Sequence, residues 1–314
     1  MVDPIPDDIN FCPASALPKE LIHRILNKLD GVDAINSALV CQRWKALAKP
    51  LLENIRELNI LLNKSCCNKS RLNGLEYLTE ICACGAHVSE QCVMLCQLLS
   101  LQNFQNIRRI NVEDDVPVPK EKGIKSTVNT IVRHLNKDLE TMQFTNVDMS
   151  LFDILSFASL GQFRNITTLV LVDCSFPLGV VSNSLFVKAL APVLPTLEHL
   201  ELTGTPFVTD EFGVSLAKYG VSLAHVNLQR CSNITAITVT SFCTHAGSET
   251  RQKPVTFDLY STRFDANALD CYLHRLQMFD EKSWTLNLFD MRETNGRMTV
   301  TISNQNENGY TVFY

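Results

Sequence analysis

Twelve cysteines and seven histidines are the side chains of this 314-residue chain with the widest chemical reach. A thiolate beside an imidazole is an activated nucleophile, and Cys and His at short spacings hold zinc. Cys82-x-Cys84 and Cys92-x3-Cys96 flank His87 and so invite a zinc reading. Around Cys92, however, Val93, Leu95, Leu98 and Leu99 recur at helical intervals, and no His pair follows. Thiols on the apolar side of a helix are core residues. No metal site is therefore expected. The chain also lacks a P-loop, a dinucleotide-binding glycine fingerprint, an H-E-x-x-H zinc motif and a G-x-S-x-G nucleophile elbow. No catalytic residue and no cofactor is expected, and the chain is not read as an enzyme.

One pattern recurs along the chain: apolar, two variable, apolar, one variable, apolar. It begins at Ile55, Ile107, Leu139, Ile166, Leu197 and Leu223, with a degenerate copy at Pro254 and half a copy at Leu286. From Ile107 the steps are 32, 27, 31, 26 and 31 residues. The first gap, 52 residues, equals two steps of 26, which places a hidden unit near Leu75 to Cys84. Steps of this size around an L-x-x-L-x-L core mark leucine-rich repeats, strand–loop–helix units that bury their apolar sides only by stacking. Helices are expected between strands at Phe186–Leu194, ended by Pro195, and at Asp210–Tyr219, ended by Gly220, with Thr209 or Asp210 as N-cap. Cys174 and Cys231 each fall eight residues after the start of their unit, at Ile166 and Leu223. Val147 and Thr205 occupy the same place in neighbouring units.

Period-2 alternation turns the residues between the apolar positions outward. These are Thr168, Val170 and Val172, then His199, Glu201 and Thr203, then His225, Asn227 and Gln229. Thr256, Asp258 and Tyr260 follow, and then Thr285, Asn287 and Phe289. Neighbouring strands lie about 4.8 Å apart, so His199 and His225 are expected side by side. Val170, Val172, His199, Glu201, His225, Asn227, Gln229, Asp258, Tyr260, Asn287 and Phe289 are the candidate substrate-binding residues. Apolar and aromatic ends flank a polar middle, as at a protein-binding surface with anchors.

Thr285 to Phe289 and Met298 to Ile302 alternate as strands around Asn295-Gly296, a strong hairpin turn. Tyr310 to Tyr314 offers one more strand. Residues 285–314 are read as a β-rich cap on the open end of the array.

The N-terminal stretch obeys other rules. Pro18 suits a first helical position and Glu20 the positive end of the helix dipole. Leu21, Ile22, Ile25, Leu26 and Leu29 then follow at helical spacing, and Asp30-Gly31 supplies a stop. A second helix is expected from Asp33 through Ile35, Ala38 and Leu39. Val40, Trp44 and Leu47 line a third, ended by Pro50. Three helices in so few residues leave apolar surface uncovered. The string Leu17-Pro18, Glu20-Leu21, Ile25-Leu26, Leu29, Asp33, Leu39-Val40-Cys41, Trp44 and Leu47 resembles the F-box motif along its whole length. That resemblance implies docking on the adaptor protein Skp1 through Leu17, Pro18, Leu21, Ile25, Leu26, Leu39, Val40, Cys41 and Trp44. With the repeats, which look like the cysteine-containing type, the chain resembles the F-box/leucine-rich-repeat family.

The expected architecture is thus an α/β solenoid: a flexible leader (1–14), a three-helix F-box (15–50), a leucine-rich-repeat horseshoe (51–284) and a short β cap (285–314). The resemblance implies a substrate-recognition adaptor of a Skp1–cullin–F-box ubiquitin ligase, with a substrate protein on the repeats. A scaffold that binds Skp1 without promoting ubiquitination is the rival. Composition is compatible with both, at 46% hydrophobic and 19% charged residues. A net charge of −5 and the lack of a basic run argue against nucleic acid as partner. No membrane span or secretory signal is read, so the expected compartment is cytoplasmic or nuclear, with free thiols.

Overall fold

The computed structural model describes residues 17–29, 33, 37–38, 40–54, 56–61, 78–82, 106–114, 137–149, 163–176, 183–245, 255–265, 267–269, 271, 275, 285–287 and 299–303. Among the described residues, helices α1 (Lys19–Leu26) and α2 (Gln42–Glu53), with helical residues Asp33, Ser37 and Ala38 between them, precede a ten-stranded sheet. Its strands are β1 (Glu57–Leu61), β2 (Leu78–Cys82), β3 (Arg109–Glu113), β4 (Thr141–Thr145), β5 (Thr168–Val172), β6 (His199–Glu201), β7 (His225–Asn227), β8 (Val255–Asp258), β9 (Thr285–Asn287) and β10 (Thr299–Ser303). Helices α3 (Asn183–Leu190), α4 (Asp210–Tyr219) and α5 (Ala236–His245) lie between β5 and β8 in the chain.

Strand order is β2-β1-β3-β4-β5-β6-β7-β8-β10-β9. Pairing is parallel from β2 to β8 and antiparallel at β8/β10 and β10/β9. The apolar positions of the repeating pattern align strand by strand. Ile110 pairs with Met142, Met142 with Leu169, Leu169 with Leu200, Leu200 with Val226 and Val226 with Phe257. All six are buried in one continuous core with Phe186, Leu190, Phe212, Leu216, Val239 and Phe242 of the helices. Each such side chain contributes about 1.5–3 kcal/mol relative to an exposed position. No repeat could collect that alone.

Two expectations about order are corrected. The unit near Leu75 to Cys84 exists as a strand, yet β2 lies outside β1, and β1 pairs directly with β3. Spacing counts residues but does not say on which side of β1 the extra strand enters. At the other end the two cap strands do pair antiparallel, but β10, not β9, adjoins β8. Asn287 therefore lies opposite Thr301 and is not next in line after Asp258. Asn295-Gly296, Tyr310–Tyr314, Gly31, Ile35 and Leu39 lie outside the described residues.

Helix ends follow local chemistry. The carbonyl of Pro18 accepts the N–H groups of Leu21 and Ile22, so the proline is the cap before α1. Helix α2 runs through Pro50 to Glu53, where a stop is expected. Leu47, Ala48 and Leu52 form its buried face. Packing of Leu52 beyond the proline offsets the lost hydrogen bond, which costs about 3 kcal/mol in a helix interior. Helix α4 spans the expected residues, whereas Thr209 makes no side-chain cap. Asp210 instead reaches the next helix. Its Oδ1 accepts from Thr235 N (2.9 Å) and Thr238 Oγ1 (2.7 Å), and its Oδ2 from Thr235 Oγ1 (2.7 Å). Thr235 Oγ1 in turn accepts from Ile237 N at 3.2 Å, capping α5. Gly213 leaves no room for a Cβ against Thr238, so α4 and α5 meet closely.

One further repeat is conformational. Asn146, Asp173, Gly204, Arg230 and Ser261 have φ of 55°, 52°, 71°, 59° and 58°. Each stands two residues after the last apolar position of its unit. Four of their N–H groups donate across to the next unit, to the carbonyls of Val172, Thr203, Gln229 and Tyr260 at 2.8–3.0 Å. The left-handed turn thus directs one backbone donor per unit at its neighbour.

Candidate protein-interaction faces

The N-terminal unit presents two apolar stripes on one helix. Ile22 and Leu26, four residues apart on α1, are 0% and 1% exposed and belong to the common core. Leu21 and Ile25, displaced by about 100°, are 43% and 40% exposed, and Val40 is 54% exposed. Leu26, expected as a contact for Skp1, is thus held inward by the chain's own core. Leu17 is half-buried and its carbonyl accepts Arg43 Nη2 at 2.8 Å, while Pro18 is exposed. Cys41, half-buried and extended, precedes α2. Trp44 packs partly against the core, and its indole Nε1 is shielded without an acceptor among the described residues. Among the described residues of this unit, Leu21, Ile25 and Val40 are therefore the outward large apolar side chains, flanked by Pro18 and Cys41.

The unit is joined to the sheet by short polar links. Glu53 O, at the end of α2, accepts from Asn106 Nδ2 (2.7 Å) and Arg56 Nη1 (3.3 Å). Asn106 O accepts from the same Arg56 atom at 3.3 Å. Leu52 and Leu58 share the buried core. Helix α2 and strands β1 and β3 thereby form one packed junction.

On the sheet, the candidate residues fall into register as expected in β5–β8. His199 pairs with His225, and their rings stack at 4.7 Å with 7° between planes. His199 Nε2 lies 3.9 Å from Glu201 Oε2, and His225 Nε2 lies 3.3 Å from Asp258 Oδ2. Glu201 Oε1 accepts from Thr203 Oγ1 (2.9 Å) and Asn227 Nδ2 (3.0 Å). Asn227 Oδ1 accepts Gln229 N at 3.0 Å. The His199 imidazole, most of all, holds the Glu201 carboxyl below the ordinary carboxylate range; burial opposes this and the Thr203 hydroxyl assists it. Val172 is half-exposed and Tyr260 is 45% exposed.

Val170 departs from expectation. It stands on the outward side in register with Gln143 and Glu201, yet it is 8% exposed. A short side chain between two longer ones on adjacent strands is covered by them. Asn287 belongs to β9, two strands beyond β8, and Phe289 lies outside the described residues.

The thiols take structural places. Cys231 Sγ donates to Leu202 O (3.0 Å) and Cys174 Sγ to Phe144 O (3.5 Å), each a carbonyl of the preceding unit. Burial pushes both thiols up to about 11. Such thiols are inert nucleophiles. Among the described residues no group of three or more His, Cys, Asp or Glu could hold a metal ion. No helix among them is long and apolar enough to cross a membrane.

Residues 15–55 match the F-box domain family. That match contains α1 and α2 with the exposed Leu21, Ile25 and Val40. An F-box is a domain that generally binds Skp1, and its presence implies a Skp1-type partner. No curated protein matches the chain. Among solved structures, an internalin from Listeria monocytogenes is similar at 10% identity and a TM-score of 0.35. The alignment covers 69% of this chain, which spans 45% of the internalin chain.

Proposed function

We propose that the chain is the non-catalytic substrate-recognition subunit of a Skp1–cullin–F-box ubiquitin ligase. Residues 15–50 form its Skp1-binding unit, and residues 51–284 form a leucine-rich-repeat solenoid of the cysteine-containing type that holds the substrate. The observation that carries this reading is the pairing of an F-box match with outward apolar side chains, Leu21, Ile25 and Val40, on the matched segment. Such side chains cost solvation unless a partner covers them. The junction at Glu53, Asn106 and Arg56 supports a fixed geometry between the two surfaces. Ubiquitin transfer then follows from proximity: a substrate lysine held near a charged conjugating enzyme gains effective concentration.

The face for substrate is the outward side of β5–β8, with His199, Glu201, His225, Asn227, Gln229, Asp258, Tyr260 and Val172 available. Cytoplasm and nucleus are the compartments this role demands. In the test, tagged chain is captured with Skp1 and a cullin from purified components, and Leu17→Ala/Pro18→Ala is compared with the parent. Loss of Skp1 in the variant is expected. Undiminished capture removes the ligase reading, and Skp1 binding without cullin leaves a scaffold.

A further inference from the structure

His199 and His225 pair across β6 and β7 with ring centroids 4.7 Å apart and 7° between planes. Their side chains are 35% and 32% exposed, so protons reach both from solvent. Each Nε2 has a carboxylate of its own. Glu201 Oε2 lies 3.9 Å from His199, and Asp258 Oδ2 lies 3.3 Å from His225. These carboxylates stand on β6 and β8, either side of Asn227 on β7. In register, Thr168 of β5 lies beside His199 and Thr256 of β8 beside His225, and neither ionises. Glu198 is exposed immediately before His199, and Tyr260 stands two residues beyond Asp258.

Parallel imidazoles tolerate one proton, because a single imidazolium is attracted to the π face of a neutral ring. Two imidazoliums at this distance repel, so the pair takes up its protons in two separate steps. The second proton also gives the rings a direction in which to part. It completes a charge-assisted contact at each carboxylate, one along β6 and the other across to β8. His225 is thereby drawn toward Asp258 and away from His199.

We infer that this pair is a proton-sensitive switch in the outward face of the sheet. With one proton or none the rings stay stacked; with two they separate and redraw the row that carries Glu201, Asn227 and Asp258. Imidazole suits such a role because its charge changes near neutral pH. The inference rests on the proposal that this face receives the substrate, and it makes that recognition dependent on pH.

The test follows the full chain, with isotope-labelled histidine, by nuclear magnetic resonance between about pH 8.5 and 5. His23 on α1 is the internal reference. The parent is expected to show two midpoints for the pair, and a nuclear Overhauser contact between the rings that disappears through the lower one. His199→Gln and His225→Gln each leave one histidine of the pair. It is expected to titrate at least about 0.5 pH unit above the lower parent midpoint, the repulsion across this distance even at the permittivity of water. A remaining histidine that titrates at the lower parent midpoint overturns the inference, as does a ring contact that persists below both midpoints. Should the parent unfold before its second step, the unfolding pH bounds that step from above. A single variant whose histidine titrates no higher than that pH then overturns the inference as well. The titration needs no partner, so a failure of Skp1 capture, which sinks the adaptor reading, is scored separately.

Discussion

Arg230 Nη2 bonds Asp173 Oδ2 at 2.7 Å by crossing the unit that lies between them. What permits the crossing is Gly204, the equivalent residue of that middle unit. A Cβ there would stand 2.5 Å from Asp173 Oδ1, and its φ of 71° disfavours any side chain. Gly204→Ala therefore combines a left-handed strain with a clash, and a loss of about 1–3 kcal/mol is expected. Arg230→Ala breaks the ion pair, which is half-exposed, and should cost no more than about 1 kcal/mol. Denaturant melts of the two variants give the comparison. If Arg230→Ala is the more damaging, the backbone turn is not what the position protects.

How far the sequence announces these features depends on whether one spacing has one solution. The apolar triplets Leu197, Leu200 and Leu202 or Leu223, Val226 and Leu228 are legible because only alternation buries both inner positions of a strand. The His199–His225 neighbourhood follows from the same register. The order β2-β1-β3 is not legible, because a 52-residue gap is compatible with an extra strand on either side of β1. A hairpin is likewise announced by Asn295-Gly296, but either of its strands could adjoin β8. Asn146, Asp173 and Gly204 were a usable signal for the left-handed turn, since Asn, Asp and Gly tolerate positive φ best. Arg230 and Ser261 give no such hint, and context imposes the turn on them. Helix α5 was hidden by composition: Ala236-Ile237-Thr238-Val239-Thr240 favours a strand locally, and the Asp210–Thr235 cap with the buried Val239 and Phe242 overrides it.

The two stripes on α1 differ in burial, and their substitutions should differ in effect. Leu26 is 1% exposed, so Leu26→Ala should lower stability by about 2–5 kcal/mol. Leu21→Ala/Ile25→Ala removes exposed methyls and should leave the melting midpoint nearly unchanged while reducing Skp1 capture several-fold. Sequence periodicity could not assign the stripes, because both consist of large apolar residues at i, i+4. Normal Skp1 capture by the second variant would place the docking surface elsewhere.

Thiol labelling offers a direct check of the repeat packing. Cys174 and Cys231 are buried, with thiols pushed up to about 11, whereas Cys271 is exposed. Iodoacetamide at pH 8 should modify Cys271 within minutes and spare the other two until the chain unfolds. Peptide mass spectrometry reads all three. Rapid modification of Cys231 in the native chain would contradict its bond to Leu202 O.

Acid stability should report the Glu201 network. Its carboxyl is lowered from the model-compound value of 4.5, first by His199, so the folded chain holds that proton less tightly than the unfolded chain. The stabilisation is present above the unfolded value and is lost as pH falls through the lower folded value. Glu201→Gln removes this dependence but keeps an acceptor for Thr203 and Asn227. The difference in melting temperature between parent and variant should accordingly hold from pH 6 down to the unfolded value of 4.5 and shrink as pH falls further. A difference that stays constant down to pH 3 would mean that the carboxylate charge contributes nothing to folding.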